Sequence, residues 1–168
     1  FNTVSGTPQG GVISPTLANM ALDGLERALS RFTSRDSGYK VNVIRYADDF
    51  VITGKSKELL EGTIRPLVEQ FLAVRGLRLS SEKTKITHID EGFRFLGFDL
   101  RKYGGKLLIK PSRENLTAVC EKLREKVHAF QSGKTEFLLK NINPIIRGWA
   151  AYYQHVVSFR TFQKLDHA

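Results

Sequence analysis

Two adjacent carboxylates, Asp48 and Asp49, stand inside the apolar stretch VNVIRYADDFVIT and restrict the local fold more than any other feature. Successive side chains on a strand point to opposite faces, so one unbroken strand would have to bury an acid. A hairpin avoids this. With Val41 to Tyr46 and Phe50 to Thr53 as arms and a tight connection at Ala47, Asp48 and Asp49, both carboxylates come to the tip. An ordinary solvated turn accounts for such a pair, since Asp is a common turn residue. A Mg2+ site accounts for it equally, because that hard ion takes carboxylate oxygen and needs only one or two such ligands beside water and substrate phosphates.

Charge separates the chain into unlike halves. Of the 168 residues, positions 1–100 carry 13 Lys and Arg against 12 Asp and Glu, whereas 101–168 carry 13 against 5. The formal charge of +9 therefore sits almost entirely in the C-terminal part, which favours a polyanionic partner over a merely solvated face. Cys120 is the only cysteine, so there is neither a disulfide framework nor a cysteine zinc site, and a reducing compartment fits. No apolar run approaches the roughly 20 residues of a membrane span, and the first residues show no basic-then-apolar signal pattern. The expectation is a soluble, cytoplasmic protein without a membrane partner. The start at Phe1 and the close at KLDHA, which reads as the beginning of another helix, suggest a piece of a longer protein.

Along the chain, the glycine loop GTPQGG empties into a helix expected from about 15 to 31, with Ser14 as N-cap, Pro15 in the first turn and Ala18, Leu22, Leu25 and Leu29 as its apolar stripe. Such a loop at a helix N-terminus suits an anion, although most glycine loops are only turns. After the hairpin, Leu60, Ile64, Leu67, Val68, Phe71 and Leu72 stripe a second helix that Pro66 should kink or split and Gly76 should end. Three strand-like segments follow, TKITHI, RFLGFDLR and KLLIK, the last two joined across KYGG. From Pro111 onward the pattern is helical: Leu116, Val119, Leu123, Val127 and Phe130 stripe one helix, a short segment covers 135–141, and Asn143 with Pro144 opens another. The expected fold is α+β, an antiparallel sheet with helices on one face in residues 1–110 followed by an all-helical segment in 111–168.

Five stretches in order, GTPQGGVISPTLANMALD, RYADDFVI, GLRLSSEKTKI, FRFLGFDLR and NPIIRGWAAYY, resemble the reverse transcriptases encoded by group II introns. The first four are similar to the later motifs of a polymerase palm, the fifth to the thumb or maturase region. The resemblance implies an RNA-directed DNA polymerase that adds dNTPs to a DNA primer on an RNA template by two-metal Mg2+ chemistry, and that binds group II intron RNA during splicing. It implies Asp48 as a ligand of the catalytic Mg2+ with Asp49 assisting. Gln9, Gly10 and Tyr46 would line the nucleotide and primer side. Lys83, or Lys85 beside it, would stand near the triphosphate as a catalytic lysine. FLGF, with Phe95, Leu96 and Gly97, would form the primer-grip hairpin that holds the growing strand, and Lys122 and Lys126 would meet RNA phosphates. A further aspartate and the fingers would lie before Phe1, so residues 1–168 alone would not polymerise. The host would be a bacterium or an organelle.

Two other readings stay open: a splicing maturase without polymerase activity, against which the intact YADD speaks, and a retron or diversity-generating lineage, against which NPIIRGWAAYY speaks. Trp149, Tyr152 and Tyr153, at i, i+3 and i+4, are core by spacing alone. His88, His128, His155 and His167 lack metal-ligand spacing.

Overall fold

The computed structural model describes residues 12–34, 37–130 and 135–167. Packing divides the chain into two compact units, Phe1–Ile86 and Thr87–Ala168. The architecture is α+β, with two small antiparallel sheets, one per unit, and a helical C-terminal segment.

In the first unit, α1 (Ser14–Leu22), α2 (Leu25–Ala28) and α3 (Ser30–Thr33) take the place of the single helix expected over 15–31. The break follows from Gly24, whose φ of +85° no continuing helix can accommodate. Ser14 is the first helical residue and not the cap; Pro15 occupies the first turn. The stripe nevertheless works. Leu22, Leu25 and Leu29 join Val41, Ile64, Val68 and Leu72 in one buried cluster. Strands β1 (Asn42–Tyr46) and β2 (Asp49–Thr53) form the expected hairpin, with Val43, Phe50 and Ile52 against that cluster.

Pro66 does not end its helix. Ser56 caps α4 (Lys57–Leu59) by accepting from the Leu59 amide at 3.3 Å, a π-helical turn covers Leu60–Ile64, and α5 (Arg65–Ala73) carries Pro66 in its first turn. The wider turn lets the Arg65 amide reach the Leu60 carbonyl, so helical hydrogen bonding carries on up to the proline.

The second unit begins with β3 (Phe93–Phe95), β4 (Phe98–Tyr103) and β5 (Lys106–Pro111), an antiparallel meander. The stretch RFLGFDLR, read as one strand, folds back on itself: Phe95 pairs with Phe98 across a two-residue turn. Leu96 and Gly97 both have positive φ, 49° and 78°, as a type I′ hairpin turn requires. Gly104 and Gly105 repeat the device between β4 and β5. TKITHI forms no strand, although the Lys102 amide of β4 donates to its Ile89 carbonyl at 2.9 Å.

Three helices follow, α6 (Arg113–Ala129), α7 (Thr135–Tyr153) and α8 (Phe159–Asp166). Ser112, almost fully buried, caps α6 by accepting from the Asn115 amide at 3.2 Å. The helix start expected at Asn143 and Pro144 is not there: α7 runs unbroken through Pro144. Lys140, whose carbonyl loses its helical amide donor to that proline, is exposed, so the loss falls on the solvent side. Because β3–β5 pack with these helices, the boundary between packed units lies upstream of the domain boundary expected near residue 110.

Candidate functional site

The acid pair occupies a tighter tip than expected. Tyr46 pairs with Asp49, so the connection is only Ala47 and Asp48, and Asp49 is the first residue of β2. Alternation from that register turns Val43, Arg45 and Phe50 inward and Ile44, Tyr46 and Asp49 outward. Asp48, in the turn itself, belongs to neither face. Both carboxylates are solvent-exposed, and Tyr46, 66% exposed, stands on the same face as Asp49.

Such a turn strains an ordinary residue. Ala47 has φ +53°, a left-handed conformation that costs a non-glycine residue roughly 1–2 kcal/mol. Arg45 holds it in place. Its Nη1 donates to the Ala47 carbonyl at 3.3 Å and to Asn19 Oδ1 at 2.9 Å, and its Nε donates to Glu26 Oε1 at 2.9 Å. One guanidinium thus ties the acid turn to α1 and α2. The bond from Arg45 holds the Glu26 carboxyl below its ordinary range, more than its own backbone contact does. Sequence reasoning missed this clamp, because Arg45, Glu26 and Asn19 are separated along the chain and only the inward side of β1 brings them together.

Two exposed carboxylates one residue apart suit a hard divalent cation that keeps waters and substrate phosphates as its other ligands. Among the described residues no group of three or more His, Cys, Asp or Glu gathers, so the pair fits Mg2+ as a partial ligand set and not as a closed cage. Lys83 and Lys85 are both exposed in the segment after Leu79, where the Lys83 amide donates to Ser80 Oγ at 3.4 Å. Among the described residues, no ion pair joins either lysine to Asp48 or Asp49. Gln9 and Gly10 lie outside the described residues.

In the second unit, the Leu96–Gly97 turn is pinned by hydrogen bonds from both helices beside it. The Gly97 carbonyl accepts from the Ser112 amide at 2.9 Å and from the Tyr153 hydroxyl at 3.1 Å, while the Tyr152 hydroxyl donates to the Leu96 carbonyl at 2.9 Å. Asn115 Nδ2 completes the set, donating to Tyr153 Oη at 2.7 Å. Phe98 stacks on Tyr152 and meets Tyr153 edge-on, with centroids 5.1 and 5.0 Å apart. The aromatic triplet is therefore not uniformly core. Tyr153 is 2% exposed and Trp149 is partly covered, but Tyr152 is 53% exposed although its ring stacks on Phe98 and its hydroxyl reaches the turn.

A groove of about 670 Å3 lies along this junction, and Leu96, Lys122, Pro144, Trp149 and Tyr152 are among its lining. It brings together two of the residues proposed from sequence for nucleic acid, Leu96 and Lys122. Lys126 is exposed one turn further along α6, and Phe95 is half-buried on β3.

An acid-tipped hairpin followed along the chain by a helical segment agrees with a partial reverse transcriptase palm followed by a thumb. The chain belongs to the reverse transcriptases: residues 1–100 match the family described as Reverse transcriptase (RNA-dependent DNA polymerase). Residues 116–168 match the Group II intron, maturase-specific domain, which narrows the class to the group II intron type. The chain is similar to Protein YkfC of Escherichia coli (strain K12), with 34% identity covering 80% of this chain and 41% of that protein. It is also similar to Group II intron-encoded protein LtrA of Lactococcus lactis subsp. cremoris, with 28% identity covering 59% of this chain and 26% of that protein. The chain thus spans well under half the length of either curated relative.

Proposed function

We propose that this chain supplies the acid-bearing part of an RNA-directed DNA polymerase and the first helices of its RNA-binding thumb, with the two family domains meeting near residue 110. One observation carries the reading: Asp48, in a two-residue turn, and Asp49, the strand residue that follows it, stand exposed at a tip whose strained backbone Arg45 locks to α1 and α2. A rigid, solvent-facing acid pair suits a reaction that is mostly positioning and charge stabilisation. Bound Mg2+ would neutralise charge on the attacking 3′ oxygen and the leaving pyrophosphate. Asp48 and Asp49 would hold it, and Arg45 would keep the pair from moving as negative charge gathers. Tyr46, outward beside Asp49, would face the primer end, and Lys83 or Lys85 would serve the triphosphate. Gln9 and Gly10 would line the nucleotide pocket. Phe95, Leu96 and Gly97, on a turn fixed by Ser112, Tyr152 and Tyr153, would hold the primer strand at constant height.

The match over 116–168 and the excess positive charge of the same region support intron RNA as the second partner, bound for splicing. Among the described residues no helix is long and apolar enough to cross a membrane, and the reading places the protein in the cytoplasm. The remaining aspartate and the fingers would come from sequence outside this chain, consistent with the fraction of the relatives it spans. In the full-length protein Asp48→Ala should abolish primer extension on an RNA template while leaving RNA affinity nearly unchanged, because it removes a metal ligand and no phosphate contact. Near-normal extension by that variant would overturn the polymerase assignment.

A further inference from the structure

The β3–β5 sheet has two unlike faces. Its register sets Phe95, Phe98 and Pro111 in one row and Phe93, Leu100 and Ile109 in the next, and Phe98 rests on Tyr152 and Tyr153, so this is the helix side. Alternation assigns Arg94, Asp99 and Lys110 to the opposite face, then Arg101 and Leu108, then Tyr103 and Lys106. The arginine at its centre is fixed. Arg101 lies against Gly92, where a Cβ would stand 2.9 Å from its own Cβ, and its Nε donates to the Asp90 carbonyl at 2.7 Å. Its guanidinium sits 4.7 Å from the centroid of Tyr103, whose ring is 42% exposed. Asp99 on this face and Glu114 are both engaged by Arg94, and the Asp90 carboxylate, beside the carbonyl that holds Arg101, lies 3.6 Å from His88. Arg101, Lys106 and Lys110, all exposed, are the cations this face presents to solvent beyond the Arg94 pairs.

We propose that this outer sheet face docks an unpaired RNA strand, with Lys106 and Lys110 on phosphates and a base stacked on Tyr103. Cations alone would suit any polyanion. An aromatic ring in contact with the Arg101 guanidinium among them selects unpaired bases, since those bases have a free π-face and duplex bases do not. RNA is the occupant, and not DNA, on the strength of the proposed function: residues 116–168 of the same compact unit match the maturase-specific domain. The hairpin lies outside that match, so the surface extends the RNA contact beyond the helices.

The test is fluorescence anisotropy of the 168-residue chain with a labelled, unstructured RNA of about 20 nucleotides, and with DNA of the same sequence, from about 50 to 200 mM salt. Lys106→Gln with Lys110→Gln should reduce the magnitude of the log–log salt slope by about 1.4, at about 0.7 per released phosphate on a single strand. Tyr103→Ala should weaken binding by about 5- to 100-fold without altering the slope, and Tyr103→Phe should restore it. Arg27→Gln with Arg31→Gln, an equal charge loss on α2 and α3, should leave the slope nearly unchanged. Parent-like binding by the lysine pair or by Tyr103→Ala would overturn the proposal, as would an equal slope change from the arginine pair or tighter binding of the DNA. Should Lys122→Gln with Lys126→Gln flatten the slope while the hairpin variants do not, the proposed function stands and this surface falls. No RNA binding by the parent chain would sink both.

Discussion

Asn115 gives its side-chain N–H to the Tyr153 hydroxyl at 2.7 Å, and Gly97 lies against that bond so closely that a Cβ there would overlap Asn115 Nδ2 and stand 2.8 Å from Tyr153 Oη. The glycine of FLGF is thus required twice, once by its φ of +78° and once by the space it leaves for a bond between two helices.

Gly97→Ala should therefore cost roughly 2–4 kcal/mol, combining left-handed strain with overpacking. Gly104 provides the control, since it has φ +50° but nothing within 4 Å of its Cβ position. Gly104→Ala should cost only the strain, roughly 1–2 kcal/mol. Chemical denaturation of both variants distinguishes the two contributions, and equal losses would mean that the Asn115–Tyr153 bond does not confine Gly97.

Acid should loosen the clamp on the Asp48 turn. Arg45 depresses the Glu26 carboxyl below its ordinary value of 4.5, so its stabilisation is complete above that pH and is lost as pH falls through the lower, folded-state value. The effect is small, because Glu26 is half exposed and solvent screens the pair. Glu26→Gln should lower the unfolding midpoint at neutral pH and converge with the parent on acidification. A gap that widens toward acid has the wrong sign for this account.

Ala47 carries strain that a glycine would not. Ala47→Gly should leave stability within about 1 kcal/mol of the parent, on the stabilising side, because the relieved left-handed strain outweighs the added chain entropy. A clear loss in thermal unfolding would mean that the Ala47 methyl packs more than its φ suggests.

Along α6, Lys122 and Lys126 should each contribute about 0.7–0.9 to the salt slope of RNA binding, so that replacing both with Gln lowers its magnitude by about twice that without shifting the thermal midpoint. Unchanged slopes in the same anisotropy assay would make their charge a solvated face.

The hairpin and its acids were legible in the sequence because two carboxylates inside an apolar run admit few solutions. The helical stripes were legible too, since Leu22, Leu25 and Leu29 in one place and Ile64, Val68 and Leu72 in another are all buried. What failed was punctuation. Gly24 breaks a helix that periodicity alone carries through, and Pro144 fails to break one because its cost is an exposed carbonyl. By pattern alone RFLGFDLR passes for one strand, and only its resemblance to a primer-grip hairpin pointed to the fold-back at Leu96 and Gly97, whose contacts with Ser112, Tyr152 and Tyr153 lie 15 or more positions away. The Arg45 clamp was invisible for the same reason: Arg45 and Glu26 stand 19 positions apart, and no local pattern announces the bond between them.

The two glycine-bearing turns of the β3–β5 sheet share a backbone conformation but differ in how they tolerate length. Around Gly104 and Gly105 nothing crowds the chain, so an added residue can bulge into solvent and leave the pairing below it untouched. At Leu96 and Gly97 the carbonyls are engaged by two helices, and an added residue would shift β3 against β4 by one step. Arg94 would then point to the helices and Phe95 to the solvent. Growth of the loop by insertion is thus open at the far end of the sheet and closed at the near end.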